Sequence, residues 1–477
     1  MKIQFDKFIF ICFLSLFLPA FFIPLGLLVP LYLLACIVIT GYYLCFHFYK
    51  SKMFVNDVMN KTPFKYFICF ILWIILDLLF LVIIGNVSLI KAISAIVIIL
   101  VGYFILYYLT PLLVCQRLIK KRQLYKIIVT AIYIIFLWGI IAHIAVLYNI
   151  HSIQIVQSVI SNRQFLSTGK IYTLDKARSV FFEAGFFGYF ICLNIPLICI
   201  VKRSRYRIFH NKYINFIIKR TILPLALINL FITRSPINWF FAVVILLILA
   251  IRRSLNNKRN FISKLIIISL LLICSFQLYP KIKNYGPISR IDIVINAILE
   301  KNINLLLNLE PSLGTRVVSY VNSFMLFTQH PILGVGLDQG KFIMYKQMEK
   351  SPLSLTPELI QLQQIGYSTG KMIFNQNILC WALSELGFIG FFLFYLYLFK
   401  SLVSLNKATK YLYGIDKEFA FAIKNTLITI ICLSFYEMSI VQAPYHFLIF
   451  SISNLIVYNT LNKKLLLQNK MEEIQNE

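Results

Sequence analysis

Three arginines are the residues of this sequence best suited to chemistry on an anionic group. They are Arg178, Arg234 and Arg316, and each lies at the end of a long apolar run or between two such runs. A guanidinium stays charged at physiological pH and binds phosphate oxygens through two parallel hydrogen bonds. Three of them converging on one site would suit a lipid pyrophosphate. The alternative is that each one lies among lipid headgroups or forms an ordinary ion pair, such as Arg178 with Glu183.

Polar side chains inside an apolar run form a second candidate set. A charge placed in hydrocarbon costs about 2.5 to 3.5 kcal/mol unless it faces a cavity or a partner. Glu385 follows Asn377 at a spacing of a little over two helical turns, so Gln376, Asn377, Ser384 and Glu385 can form a polar seam along one helix.

Two further features of the apolar runs concern packing. Gly387 and Gly390 follow the polar seam and would let a neighbouring helix approach closely. Asp77 is an ionisable residue in another run, with no motif around it. For Asp77 we expect a structural hydrogen bond within the helix bundle rather than catalysis.

The longest polar break in the sequence runs from residue 280 to residue 373. After Arg316, apolar residues recur at the spacing of one helix face, namely Val317, Val321, Phe324 and Met325. This pattern predicts a short helix beginning at Arg316 that lies on the membrane surface or caps the bundle. The His-Pro pair at 330–331 would end the helix, because proline disfavours helical geometry in the residue before it. Gly334 and Gly336 then allow a tight turn.

The composition places these residues in a membrane protein. Apolar residues make up 60% of the 477 residues, and the mean hydropathy of +0.80 far exceeds that of an ordinary globular chain. About twelve apolar runs are long enough to cross roughly 30 Å of hydrocarbon as helices. Their approximate centres are Leu16, Ala35, Ile75, Ile105, Ile135, Leu193, Leu223, Val244, Leu270, Gly387, Ile428 and Phe450. We therefore predict an all-α polytopic membrane protein whose residues 1–477 form a single integral membrane domain.

Basic residues predict how the apolar runs are oriented. The net charge is +28, and the basic clusters fall on every second connection, at 117–126, 202–212, 252–259 and 463–464, with a lighter one at 50–65. The positive-inside rule places these clusters and both termini in the cytoplasm. The same parity places four polar connections outside, at 148–181, 233–236, 280–373 and 438–445. The connection at 280–373 lies between the ninth and tenth predicted spans and is expected to contain short helices.

Other classes of function receive little support from the sequence. Nucleic-acid binding needs a continuous basic face or motif, whereas the charges here are split into short clusters. The ten cysteines lie within or beside predicted spans, as expected of small packing residues. No cluster of cysteine and histidine has the spacing of a metal site, so we expect no metal and no cofactor. The sequence also lacks the internal repeat that marks many transporters.

Four segments carry most of the candidate residues. The first motif is residues 178–188, the second is 231–235, the third is 316–336 and the fourth is 376–390. In this order they resemble the bacterial O-antigen ligase and Wzy-type O-antigen polymerase superfamily. The first motif, RSVFFEAGFFG, is similar to an arginine followed by Phe-Glu-Pro-Gly, with Ala184 in place of the proline. The second, FITRS, is similar to a Thr-x-Ser-Arg turn, although here Arg234 precedes the serine.

The third and fourth motifs carry the resemblance furthest. Arg316 followed by the segment HPILGVG at 330–336 resembles the family's arginine, amphipathic helix and His-Pro-x-x-Gly-x-Gly element. The fourth motif is similar to His-Asn-x-x-Leu followed by Glu-x-Gly-x-x-Gly. Ligases of this family have a histidine, the presumed base, where this chain has Gln376. That departure favours a polymerase over a ligase.

The resemblance implies a metal-independent membrane glycosyltransferase with a GT-C-like architecture. Its substrates would be undecaprenyl-pyrophosphate-linked oligosaccharides at the periplasmic face of the bacterial inner membrane, so that the loops at 148–181 and 280–373 would be periplasmic. Arg316, Arg178 and Arg234 would stabilise the leaving pyrophosphate, with Glu183 or His330 as general base. Gln376, Asn377, Glu385, Gly334 and Gly336 would line the substrate site. A polysaccharide chain-length regulator is an expected partner, together with membrane lipid.

Three other functions stay open at the level of sequence. A ligase would transfer the polymer to lipid A core instead of to another lipid-linked repeat unit. A lipid-linked oligosaccharide flippase or another transporter would use the arginines to capture pyrophosphate without chemistry. A non-enzymatic assembly scaffold is the third, and no sequence feature points to it.

Overall fold

The computed structural model describes most of the chain between residues 53 and 476. The described ranges are 53–97, 121–160, 184–205, 207–233, 235–254, 311–370, 377–434 and 445–476, with 22–24, 28–30 and the single positions 41, 100, 104, 108, 109, 112, 296, 299, 300 and 372. These residues are predominantly α-helical. An antiparallel pair of three-residue strands, β1 (Phe22–Pro24) and β2 (Leu28–Pro30), is the exception to the expected all-α fold. It lies between the first two predicted span centres.

The helices that the structure describes are numbered here along the chain. In chain order they are α1 (Phe64–Ile83), α2 (Leu89–Val97), α3 (Lys121–Leu147), α4 (His151–Ile160), α5 (Ala184–Arg203), α6 (Lys212–Ile232), α7 (Pro236–Ser254), α8 (Pro311–Gln329), α9 (Gly340–Gln347), α10 (Pro357–Thr369), α11 (Ile378–Thr409), α12 (Gly414–Leu433) and α13 (Tyr445–Asn476). A 3-10 turn, Met348–Lys350, follows α9.

The predicted spans agree with the helices wherever the structure describes them. The centres near residues 75, 135, 193, 223, 244, 387, 428 and 450 all fall within a helix. Four described helices are long and apolar enough to cross a membrane, namely Phe64–Ile83, Gln123–Leu147, Lys212–Ile232 and Ile378–Thr409. The predicted centres at Leu16, Ala35 and Leu270 lie outside the described residues, and so does most of the run around Ile105. The total of about twelve therefore stays a prediction.

Helices α1 and α11 pack side by side through a ladder of aromatic rings. Phe67 lies 4.9 Å from Tyr397 between ring centroids, and Phe70 lies 5.4 Å from Phe394. The residue number rises on one helix as it falls on the other, so the two helices are antiparallel. Edge-to-face and offset ring pairs of this kind add to the dispersion energy of close packing.

Helix α11 contains a break that positions the candidate site. Asn377 caps its N-terminus by accepting a hydrogen bond of 2.6 Å from the backbone N–H of Cys380. Gly387 then leaves helical geometry, with φ of 62° and ψ of −171°. Only glycine adopts such a left-handed φ without a steric penalty. The break separates residues 378–386, which include Ser384 and Glu385, from the remainder of α11.

Helices α8 to α10 form a small helical subdomain within the loop predicted at 280–373. It has its own apolar core, separate from the core of the large bundle, with members Val318, Leu326, Val335, Met344, Tyr345, Met348, Leu359 and Met372. The hydroxyls of Thr315 and Thr356 lie 2.8 Å apart and join α8 to the start of α10. The residues from 311 onward are therefore a packed unit and not a solvated linker.

The structure corrects two expectations for the helix predicted after Arg316. Helix α8 begins at Pro311 and not at Arg316, although it ends at Gln329, as the His-Pro pair predicts. Its buried face is not the predicted apolar stripe but a largely polar one that includes Ser319, Asn322 and Ser323. The reason is hydrogen bonding across the subdomain, since the Asn322 amide donates to the Ser351 hydroxyl over 3.0 Å. Phe324, from the predicted stripe, is 55% exposed.

The subdomain core yields a test with a matched control on adjacent residues of α10. Leu359 is fully buried, whereas Ile360 is 44% exposed. Leu359→Ala should destabilise the subdomain by about 2 to 5 kcal/mol through lost burial and a cavity, whereas Ile360→Ala should cost less than about 1 kcal/mol. Limited proteolysis of the purified protein between residues 311 and 370 measures the difference. Equal cleavage of the two variants would contradict an independent core.

Candidate functional site

The centre of the candidate site is a turn at residues 331–338 that docks into the break of α11. At the break, Phe388 donates its backbone N–H to the carbonyl of Pro331 over 2.8 Å. In return, the carbonyls of Ser384 and Glu385 accept the N–H groups of Val335 at 3.0 Å and Gly336 at 2.9 Å. A break leaves helix carbonyls and N–H groups without partners, and buried groups of that kind must be satisfied elsewhere. The turn of the third motif supplies these partners to the fourth motif.

Two glycines make this docking sterically feasible. Gly334 has φ of +76° and Gly387 has φ of +62°. A Cβ on Gly334 would lie 2.5 Å from the carbonyl carbon of Glu385, and a Cβ on Gly387 would lie 2.2 Å from the carbonyl oxygen of Ile332. Both distances are far below a van der Waals contact, and the opposing atoms are backbone. Gly387 was expected to admit a helix, and it admits this turn instead, whereas Gly390 faces Trp73 of α1.

The Glu385 side chain holds the far end of the turn. It is buried, and its Oε2 accepts the backbone N–H of Asp338 over 2.7 Å. Asp338 has a positive φ of 61°, which is unusual for a residue other than glycine. The Asp338 carboxylate in turn accepts a hydrogen bond from the Nζ of Lys341. Glu385 therefore has a direct structural task, because it fixes a backbone conformation that would otherwise carry strain.

Helices α1 and α2 support the same turn from the other side. A Cβ on Gly336 would lie 2.9 Å from Leu81 and 3.1 Å from Leu78, so the turn lies directly against the last two turns of α1. The Nζ of Lys91 on α2 lies 4.0 Å from the ring centroid of Phe342, in cation–π geometry. The connection between α1 and α2 is therefore at the same end of the bundle as the subdomain.

The first and second motifs also meet each other. A Cβ on Gly188, the last residue of the first motif, would lie 2.2 Å from the amide nitrogen of Asn238. That amide donates to the hydroxyl of Ser235 over 3.0 Å, so the turn of the second motif lies beside the beginning of α5. The thiol of Cys192 on α5 donates to the backbone carbonyl of Asn238 over 3.3 Å.

Helices α12 and α13 join the two pairs of motifs. Near the start of α11, the N–H of Leu379 donates to the carbonyl of Ser434 at the end of α12 over 3.1 Å. Near the start of α5, the hydroxyl of Tyr189 and the Nε2 of His446 on α13 lie 2.8 Å apart. Helix α12 packs against both α5 and α11. The described parts of all four motifs consequently lie at one end of the bundle.

Two of the basic clusters, at 202–212 and 463–464, lie at the opposite end of the same helices. Lys202 and Arg203 end α5, and Lys212 begins α6. Lys463 and Lys464 lie far along α13 from His446. The separation of motifs from basic clusters agrees with the charge parity of the sequence.

The predicted site residues are placed as follows. Gly334, Gly336 and Glu385 come together in the docked turn, and Asn377 lies at the N-cap of the same helix. His330 is exposed at the end of α8, and its carbonyl accepts the N–H of Gly334 over 2.9 Å. Arg316 is half-buried on α8, which packs against α11. Arg178, Glu183, Arg234 and Gln376 lie outside the described residues.

Two of these placements change the expected roles. Asn377 is buried and uses its side-chain oxygen as a helix cap, a task that amide residues at such positions commonly perform. Glu385 uses one carboxylate oxygen on Asp338. Sequence reasoning missed Asp338, Lys341 and Lys91. The signal available for Asp338 was an aspartate directly after a Gly-x-Gly turn, a position where left-handed geometry is common.

Metal binding has no visible support in this part of the chain. Within the described ranges, no group of three or more histidine, cysteine, aspartate or glutamate side chains could hold a metal ion.

The docking predicts that substitution by alanine has unequal effects at Gly334 and Gly370, although the two glycines have similar φ angles. Gly370 has φ of +70°, but a Cβ added there would meet no atom within 4 Å, so Gly370→Ala should cost only about 1 kcal/mol of backbone strain. Gly334→Ala adds a collision with backbone and should detach the turn. Hydrogen exchange at the amides of Val335, Gly336 and Asp338 should accelerate in Gly334→Ala alone. Unchanged exchange there would refute the docking.

Comparison with known proteins adds an independent observation. Residues 221–395 match a family model described as O-antigen ligase. The matched range contains the second and third motifs and the fourth, and it ends within α11; the first motif lies before it. The comparison with curated proteins gives no match to this chain. The match at residues 221–395 is thus a similarity to the O-antigen ligase family, and it supports the resemblance drawn from the sequence motifs.

Proposed function

We propose that this protein polymerises undecaprenyl-pyrophosphate-linked oligosaccharide repeat units into O-antigen or capsular polysaccharide. The reaction would take place at the periplasmic face of the bacterial inner membrane. The observation that carries the proposal is the docking of the third motif on the fourth, because both lie in the matched range and together build one rigid corner at the end of the bundle. Arg316 lies on the helix that leads into this corner.

The chemistry is a glycosyl transfer without metal. A sugar hydroxyl of the acceptor forms a bond to the anomeric carbon of the donor, and the bond from that carbon to the pyrophosphate oxygen breaks. The hydroxyl proton passes to a general base, for which Glu183 and His330 are the candidates. The electron pair of the broken bond leaves with the lipid pyrophosphate. Fixed cations near that oxygen lower the barrier by preorganised electrostatics.

Arg316 is the central cation in this proposal, with Arg178 and Arg234 as its partners. Its helix is fixed at one end by the Thr315–Thr356 contact and at the other by the docked turn. A guanidinium on such a support needs little reorganisation when pyrophosphate leaves. Glu385 then serves by holding the turn, and Gly334 and Gly336 serve by permitting it, while Asn377 caps the start of α11.

A ligase is the second candidate, because the matching family model is described as O-antigen ligase. The two functions differ in the acceptor, which is another lipid-linked repeat unit for a polymerase and lipid A core for a ligase. We favour the polymerase because Gln376 occupies the place of the ligase histidine and an amide cannot act as a base.

Deletion of the gene in its host separates these candidates. For a polymerase, the lipopolysaccharide or capsule should shorten to a core that carries a single repeat unit, visible as loss of the ladder on a polysaccharide gel. A ligase predicts the complete loss of attached repeats, and so does a flippase. An unchanged ladder in the deletion strain would refute all three.

The role of Arg316 gives a residue-level prediction in the complemented deletion strain. Arg316→Ala should lower the rate of chain extension by about 100- to 1,000-fold, the usual effect of removing one preorganised electrostatic group. Arg316→Lys should restore little, since lysine lacks the planar fork for two phosphate oxygens. Lys350→Ala is the matched control, because Lys350 is an exposed cation of the same subdomain.

The measurement is the ladder length at equal amounts of protein in the membrane fraction. Wild-type ladders from Arg316→Ala would remove this residue from the site. Equal losses in Arg316→Ala and Lys350→Ala would show that the loss reflects net charge and not a specific contact.

A further inference from the structure

Asp77 is a buried carboxylate that the described structure leaves without a hydrogen bond. It lies in α1 and is 2% exposed. Neither Oδ1 nor Oδ2 has a partner among the described residues. The structural hydrogen bond expected from the sequence is therefore not found in this part of the chain.

The position of Asp77 on α1 directs it toward α11. Phe70 of α1 contacts Phe394 of α11, and Trp73 of α1 faces Gly390 of α11. Because the two helices are antiparallel, residues nearer the end of α1 face residues nearer the start of α11. At 100° per residue, position 77 lies on the α1 face between positions 70 and 73. Continuing the ladder places Asp77 level with the break at Gly387.

Trp73 offers the complementary group one helical turn away. Its indole Nε1 is buried and has no hydrogen-bond partner among the described residues. The same nitrogen would lie 3.1 Å from a Cβ on Gly390, so it also faces α11. An indole N–H only donates and a carboxylate accepts. Asp77 and Trp73 together therefore suit a ligand group that both donates and accepts hydrogen bonds, such as a hydroxyl.

Asp77 lies close to the docked turn. Asp77 lies six residues before the end of α1, or about 9 Å along the helix axis at 1.5 Å per residue. The next residue, Leu78, lies 3.1 Å from a Cβ on Gly336 of the turn. A ligand group bound to Asp77 would therefore lie directly beneath the turn.

We propose that Asp77 and the Nε1 of Trp73 form a hydroxyl-binding subsite beneath the turn at 331–338. The Asp77 carboxylate accepts the hydrogen of a sugar hydroxyl, and the Trp73 indole donates to the oxygen of the same hydroxyl. The ligand class, a sugar of a lipid-linked oligosaccharide, rests on the proposed function. Asp77 is thus a binding residue that helps to select the repeat unit and takes no part in bond making.

The melting temperature and the chain-extension rate together distinguish a binding role of Asp77 from a structural role. A buried polar group without a partner destabilises the fold, so an apolar residue of similar size in its place is neutral or stabilising. Asp77→Leu should therefore keep or raise the melting temperature of the protein in detergent. A charged hydrogen bond to substrate is lost at the same time, so the chain-extension rate should fall by about 10- to 100-fold.

Three other variants complete the experiment. Asp77→Asn keeps an acceptor and should lose less than about tenfold in rate. Trp73→Phe keeps an aromatic ring without the N–H, so it tests the donor of the subsite independently and should lose about 2- to 10-fold in rate. Ile74→Val, a one-methylene change at a fully buried neighbour on α1, is the packing control and should extend chains at the wild-type rate.

The readout is polymer formed per minute by membranes of the complemented deletion strain, fed by the host's own lipid-linked repeat unit, together with the melting temperature. Lost activity with unchanged or raised melting temperature supports the subsite. Wild-type activity in both Asp77→Leu and Trp73→Phe overturns it, as expected if only water binds there. A lowered melting temperature in Asp77→Leu also overturns it, since that result requires a structural partner. If wild-type membranes form no polymer, the proposed function fails and the sugar ligand fails with it.

Discussion

The exchange of backbone hydrogen bonds between the turn at 331–338 and the break at Gly387 is the constraint on which the site depends. A helix inside a bilayer cannot leave carbonyls and N–H groups without partners, because hydrocarbon offers no water to replace them. The break in α11 is therefore stable only while the turn supplies Pro331, Val335 and Gly336 as partners. The turn also needs the break, since the N–H groups of Val335 and Gly336 find their acceptors there.

This mutual dependence links the subdomain of helices α8 to α10 to helix α11, which is long and apolar enough to cross a membrane. The subdomain has its own apolar core, and its helix α8 carries Arg316. Helix α11 carries Glu385, which accepts the Asp338 N–H. Movement of either unit would break several short hydrogen bonds at once. Backbone hydrogen bonds therefore fix the position of helix α8, which carries Arg316, relative to the end of the bundle. Such bonds vary less in geometry than contacts between long side chains.

The sequence predicts the parts of this arrangement that follow from periodicity and from turn chemistry. Apolar runs predict α1, α3 and α6 well, and the His-Pro pair predicts the end of α8. The buried face of α8 could not be predicted, because it includes the polar residues Ser319, Asn322 and Ser323, and the hydrogen-bond partner of Asn322, Ser351, lies 29 residues away in the sequence. Likewise, Gly387 was expected to admit a helix, since a small residue indicates close approach but not what approaches.

The two buried carboxylates near the break show how the structure divides structural from binding tasks. Glu385 and Asp77 are almost equally buried, and both lie where α1 and α11 meet the turn. Glu385 accepts a backbone N–H at 2.7 Å, and this hydrogen bond offsets part of the cost of its burial and also fixes the turn. Asp77 has no such bond among the described residues. Glu385 fixes the turn, whereas the described residues give Asp77 no comparable structural role. A ligand hydroxyl would pair with both the acceptor of Asp77 and the donor of Trp73.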